Sequence, residues 1–272
     1  MNCFARFAAS ALALSLVPAM LMGCGKKEAS TGSDLDYIKQ KGTLVVGITD
    51  FAPMDYQDAD GSWIGFDADL AKAFAESLGV EVQFQTIEWD NKVMELDGKT
   101  IDCVWNGMTL TDEVTSSMAC SNAYCNNAQV VILPADKAAD YGTVDSLSGL
   151  RFAVESGSAG MAQAEEKGLT YTDVVDQATA LLEVKSGTAD AAIIDSLMAG
   201  AMVGEGTNYA DLAIGPVLNA ETGEQYGVGF RKGSDAAAAL NEFFRQQGES
   251  GALQTLAEQY GVQAALIEQE EF

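Results

Sequence analysis

Apolar positions along the chain switch repeatedly between two spacings. Residues 43–48 (TLVVGI) form a near-continuous apolar run of strand length, whereas 65–78 (GFDADLAKAFAESL) place Phe66, Leu70, Phe74 and Leu78 four apart on one helical face. Gly79 marks the end of that helix, and 80–85 then alternates apolar and polar as a half-buried strand does. A helix is expected over 34–40, another around 89–96, a turn at Asp97-Gly98 and a strand over 101–105. Residues 130–133 add an apolar run closed by Pro134. A second series begins at Arg151, with strands at 151–154, 171–175 and 191–194 and helices at 158–167 and 178–186 between them. A helical segment over 196–203, a strand at 226–230 and helices at 235–247 and 252–260 complete the reading.

This strand–helix–strand rhythm argues for α/β sheets covered by helices. Residues 96–107 (LDGKTIDCVWNG) and 184–195 (VKSGTADAAIID) rhyme: each runs helix, glycine, short spacer, aspartate, apolar strand, polar strand end. Two lobes of similar construction are the economical arrangement. The 272 residues suffice for both, and 48% apolar content with a mean hydropathy of +0.04 supports a packed core. Forty acidic against fifteen basic residues give a net charge of -25, which argues against nucleic acid or anionic lipid as partners. The chain has no histidine, which excludes Ser-His-Asp and Cys-His catalysis and histidine-ligated zinc. No metal or cofactor is expected.

The N-terminal segment carries an address. Residues 7–22 are mostly apolar, Arg6 precedes them, and no acid comes before Glu28. A short run with a positive front reads as a secretory signal, with a buried N-terminal helix as the alternative. Leu21-Met22-Gly23-Cys24 resembles the bacterial lipoprotein box, which implies removal of 1–23, a lipid on Cys24, and a tether and lead-in over 24–40. Cys103, Cys120 and Cys125 remain in the body of the chain, so at most one internal pair forms. Whether Cys120 and Cys125 pair is open, and Cys103 is expected as a small core residue.

Residues 42–84 (GTLVVGITDFAPMDYQDADGSWIGFDADLAKAFAESLGVEVQF) resemble the opening of the extracytoplasmic amino-acid-binding proteins of bacterial ABC importers. The resemblance continues through ELDGKTIDCVWNGMTLTDE, SNAY, SLSGLRFAVESGS, SGTADAAIID and YGVGFRKGS, in order along nearly the whole chain. It implies an α/β, two-lobed periplasmic-binding-protein fold (type II), with two crossing strands as the hinge. By that pattern 41–129 plus 221–272 form one lobe and 130–220 the other, with crossovers near 126–131 and 218–226.

Ligand sites in open α/β sheets lie beyond the carboxyl ends of strands. Asp195 ends an apolar strand, and the resemblance makes it the partner of a ligand α-amino group; the alternative is a helix N-cap. Asp50, Phe51, Trp89, Asn106 with the adjacent Gly107, and Thr109 are the corresponding first-lobe candidates. Phe51 and Trp89 suit an aliphatic stem or a cation, or ordinary core packing. Asn106 and Thr109, just past the strand over 101–105, offer polar contacts. Asp50 suits a cationic side chain, or turn chemistry before Pro53. Ser158, opening a helix after Gly157, suits a carboxylate at a helix start or N-capping alone.

One position departs from the family. Its Thr-x-Thr-x-Glu motif usually continues into an arginine that clamps the ligand carboxylate; here Thr109, Thr111 and Glu113 are followed by Val114. Valine supplies neither hydrogen bond nor charge, so the ligand is an amino acid held by backbone amides, an amine without a free α-carboxylate, or the protein has lost binding. Net-anionic ligands such as glutamate are expected to bind poorly. The resemblance implies delivery of an amino acid or related amine to ABC permease and ATPase subunits, outside the cytoplasm, from a lipid anchor in the membrane's outer face. The alternatives are a cyclohexadienyl or arogenate dehydratase-like enzyme, with Glu155 as an acid–base group, and a sensor without transport.

Overall fold

The computed structural model describes residues 33–269; the expected signal segment 1–23, Cys24 as the expected lipidation site and the expected tether up to residue 32 lie outside the described residues. Among the described residues no helix is long and apolar enough to cross a membrane. Helix α1 (Asp34–Lys41) leads into β1 (Thr43–Ile48), then a hairpin of β2 (Tyr56–Gln57) and β3 (Trp63–Ile64), α2 (Phe66–Leu78) and β4 (Glu81–Thr86). A 3-10 turn (Trp89–Asn91) continues into α3 (Lys92–Asp97), followed by β5 (Cys103–Thr109), α4 (Asp112–Ser117), β6 (Ala119–Cys120) and β7 (Cys125–Asn127). Next come β8 (Gln129–Pro134), β9 (Arg151–Glu155), α5 (Ala159–Glu166), β10 (Thr170–Val174), α6 (Gln177–Ser186), β11 (Ala191–Asp195), α7 (Ser196–Met202) and β12 (Leu212–Val217). The chain ends with β13 (Glu224–Phe230), α8 (Ala236–Glu249) and α9 (Ala252–Tyr260).

The strands form two sheets of one design. The first runs β4-β1-β5-β13-β6 with β7 also on β13, and the second runs β10-β9-β11-β8-β12. In each, the first three strands are parallel and the next is antiparallel. The chain passes from the first sheet to the second between Asn127 and Gln129, and returns between Val217 and Glu224.

Helices cover the faces as the apolar spacing demands. Phe66, Leu70 and Phe74 of α2 are buried against the first sheet, where Phe74 meets Trp105 edge-on at 6.2 Å. The helix stops at Gly79, whose left-handed φ of 73° lets its N–H reach back to Ala75 and Glu76. On the opposite face Ile87, Val104, Met108 and Val114 form a separate apolar cluster. The second sheet buries Val131, Phe152, Val154 and Ile193 on one side.

Two elements differ from expectation. The strand expected over 101–105 begins at Cys103 and runs to Thr109, because antiparallel pairing with β13 carries its ladder through Thr109–Tyr226. Asn106 and Thr109 therefore lie inside the strand, not past it. The helix around 89–96 is a 3-10 turn joined to α3. Cys103, Cys120 and Cys125 are all free thiols, and Cys103 is fully buried in the core.

Candidate functional site

The carboxyl ends of β5, β9 and β11 and the starts of α3, α4, α5 and α6 converge on one cavity of about 280 Å³. Trp89, Asn106, Gly107, Thr109, Ser158 and Asp195 all line it. Asp50 and Phe51 do not. Phe51 is 2% exposed and packs edge-on against Tyr226 at 6.3 Å, because the tight turn from Phe51 to Asp55 folds the ring into the core. Asp50 lies outside the cavity with an exposed residue surface; partial burial, then the charge of Asp176, raises its pKa.

Asp195 ends β11 and is 5% exposed. It stands at the N-cap position of α7, yet its side chain caps nothing. One oxygen accepts from Gln129 Nε2 at 2.8 Å and from the Asn127 amide; the other accepts from the Gln177 amide. Burial raises its pKa, and these amides pull it back. Asn127 and Gln129 flank the first crossing between sheets, so the carboxylate at the cavity wall is bonded to the crossing itself.

Glu224, at the end of the return crossing, joins the same network. Its Oε2 accepts from Gln129 Nε2 at 2.9 Å, Asn127 Nδ2 at 3.2 Å and Thr109 Oγ1 at 3.3 Å. Burial, and then the Asp195 charge, push its pKa up to about 7. Glu155, at the end of β9, is 3% exposed; burial and Asp195 push it up to about 8. Among the described residues its Oε1 has no hydrogen-bond partner.

The remaining residues divide between bracing and lining. Asn106 Oδ1 accepts from the Thr49 N–H at 2.7 Å and its Nδ2 donates to Thr49 Oγ1 at 3.0 Å, which ties β5 to the end of β1. Ser158 N-caps α5 by accepting from the Met161 N–H at 3.1 Å. Trp89 lies 5.0 Å from the Lys92 ammonium, across its ring. Lys92 Nζ also donates to the Trp89 carbonyl at 3.2 Å and to the Gly157 carbonyl at 3.1 Å, joining the two sides of the cavity. Its burial lowers its pKa, against the charges of Glu113, Glu155 and Asp90. Val114 faces the cavity as an apolar wall.

Gly107 holds a left-handed φ of 55°, donates its N–H to Asp67 Oδ2 at 2.7 Å, and would place an added Cβ 2.3 Å from Phe51 Cε1. Gly107→Ala is expected to cost about 1–3 kcal/mol of stability, read as a lower urea midpoint at unchanged slope.

Sequence reasoning passed over Lys92, Asn127, Gln129, Gln177 and Glu224. Glu155 stood only in the enzyme alternative, although the strand-end rule that singles out Asp195 applies to it equally. The lysine shows no signal in a helix already rich in polar residues.

The profile of Bacterial extracellular solute-binding proteins, family 3, matches residues 44–263. The L-cystine-binding protein TcyJ of Escherichia coli is 28% identical over 246 residues, 89% of this chain and 91% of that protein. The crystal structure of an ABC uptake transporter substrate binding protein from Streptococcus pneumoniae with bound histidine superposes with a TM-score of 0.77 at 29% identity, covering 87% of this chain and 99% of that one. The ancestral amino acid-binding protein AncCDT-1, a precursor of cyclohexadienyl dehydratase, superposes with a TM-score of 0.76 at 31% identity, covering 84% and 99%. These likenesses extend over both sheets and the cavity between them: the chain is an α/β protein of two lobes and belongs to the bacterial extracellular solute-binding proteins, family 3.

Proposed function

We propose that this protein captures an amino acid or related amine outside the cytoplasm and delivers it to the permease and ATPase of an ABC importer. The observation that carries this reading is Asp195: a buried carboxylate at a strand end, on the wall of a cavity between two sheets, bonded to the crossing that joins them. A carboxylate so placed receives an ammonium group. Relatives named for binding cystine and histidine support the ligand class. Residues 41–129 plus 221–272 act as one lobe and 130–220 as the other, closing about the crossing strands as ligand contacts form. Cys24 carries the lipid that holds the protein at the outer face of the membrane.

A dehydratase reading rests on Glu155, whose pKa of about 8 leaves it protonated at neutral pH and able to act as an acid. Turnover of prephenate would establish it, and none is expected.

Thermal unfolding of the purified protein against a panel of amino acids and amines tests the capture reading. The midpoint is expected to climb with the logarithm of ligand concentration for at least one compound. A flat response to every member at millimolar concentration would overturn ligand capture.

A further inference from the structure

The walls of the cavity are unequal in charge. Asp112, Glu113, Asp195 and Glu155 line it, the last held protonated by burial until a cation arrives, and among the described residues Lys92 is its one cation; Glu224 shares the amides of Gln129 and Asn127 with Asp195. Lys92 is already engaged with two carbonyls and an indole ring. Glu155 and Asp195 are both buried, and they share the Gln177 amide, which reaches Glu155 Oε2 only at 3.5 Å. Glu155 Oε1 is left without a donor. An ammonium group brings three N–H donors and a full positive charge to such a place.

Nothing comparable awaits a carboxylate. Val114 offers an apolar surface. The three arginines among the described residues are engaged away from the cavity: Arg151 with Asp190, Arg231 with Asp34 and Asp102, and Arg245 with Glu242 and Glu249. The Ser158 hydroxyl accepts from the Met161 amide and offers a carboxylate one neutral O–H donor, and an anion at the start of α5 would share the cavity with Glu155. Among the described residues no group of three or more Asp, Glu, Cys or His side chains is arranged to hold a metal ion.

We propose that the preferred ligand is a short amine with two positive centres and no free carboxylate. One centre sits between Glu155 and Asp195; the other points toward Asp112 and Glu113 at the start of α4. This rests on the ligand-capture reading and narrows it from amino acids to their decarboxylated, dicationic counterparts.

Isothermal titration of the purified protein with three pairs tests it: arginine and agmatine, lysine and cadaverine, ornithine and putrescine. Each pair differs only by the α-carboxylate. The decarboxylated member of at least one pair is expected to bind tenfold tighter or more, and Glu155→Gln to weaken that member by at least tenfold. Amino acids that bind as well as their amines, or better, overturn the inference while leaving ligand capture intact. Absence of binding by all six, with a flat thermal response to the wider panel, overturns both.

Discussion

Asp195→Ala is expected to weaken any ammonium-bearing ligand by roughly thirtyfold or more, since truncating one side of a buried charged contact costs on the order of 2–5 kcal/mol. The carboxylate is nine-tenths buried and lines the cavity, so its attraction to a cation is little screened by water. The substitution also strips the acceptor from the amides of Asn127, Gln129 and Gln177, so some stability is lost with it. Calorimetric affinity and the unligated unfolding midpoint, measured on the same preparation, separate the two effects. An affinity unchanged from the parent protein would mean that the ligand nitrogen is held elsewhere.

The stability of the ligand-free protein is expected to fall as pH rises from about 4.5 to about 8. Glu155 at about 8 and Glu224 at about 7 both stand above the ordinary glutamate value of 4.5, chiefly through burial and then through Asp195. Asp67, pushed up to about 7 by burial beneath β5, acts in the same direction. In that window the folded protein retains protons that the unfolded chain has released. Stability must then decline with pH across this window. Below about 4.5 the effect is fully relieved; above about 8 the whole penalty is present. A bound cation favours the ionised carboxylates, so the stabilisation by ligand is expected to be larger at pH ~8 than at pH ~5. Urea midpoints at several pH values, with and without the tightest amine, check both trends. Unligated stability that climbs between those values would contradict the carboxylate cluster.

Local pattern carried the elements whose stability is local. The run at Thr43–Ile48 and the helix Ala252–Tyr260 match their expected limits to the residue, because burial period and end signals lie within them. The short strands β2, β3, β6 and β7 have no such period. Strand β7 exists through pairing with β13, about a hundred residues away, which no local pattern encodes. Strand β12 hides behind Gly215 and Pro216, tolerated because it is an edge strand with its irregularity at that point.

The same division governs the site. Asp195 was legible because a carboxylate at the end of an apolar strand is chemically conspicuous. For Phe51, beside another strand end, the sequence leaves ligand contact and core packing open, because an aromatic there suits both; the turn to Asp55 puts its ring in the core. Asn127, Gln129 and Gln177 are unremarkable polar residues one by one, and acquire meaning only when the crossing segments bring them to a single carboxylate.

Asp50, two residues past β1 of the first sheet, lies near enough to Asp176, at the N-cap of α6 beside the second, for the charge of Asp176 to add to burial in raising its pKa. If the lobes close as proposed, this pair is compressed, and closure then works against a small electrostatic spring that relaxes when they part. Dissolved salt slackens that spring by screening it, whereas the buried acids within are shielded from the same ions. The Asp50–Asp176 pair and the buried acids of the cavity therefore answer to different features of the surrounding medium: ionic strength for the first, proton activity for the second.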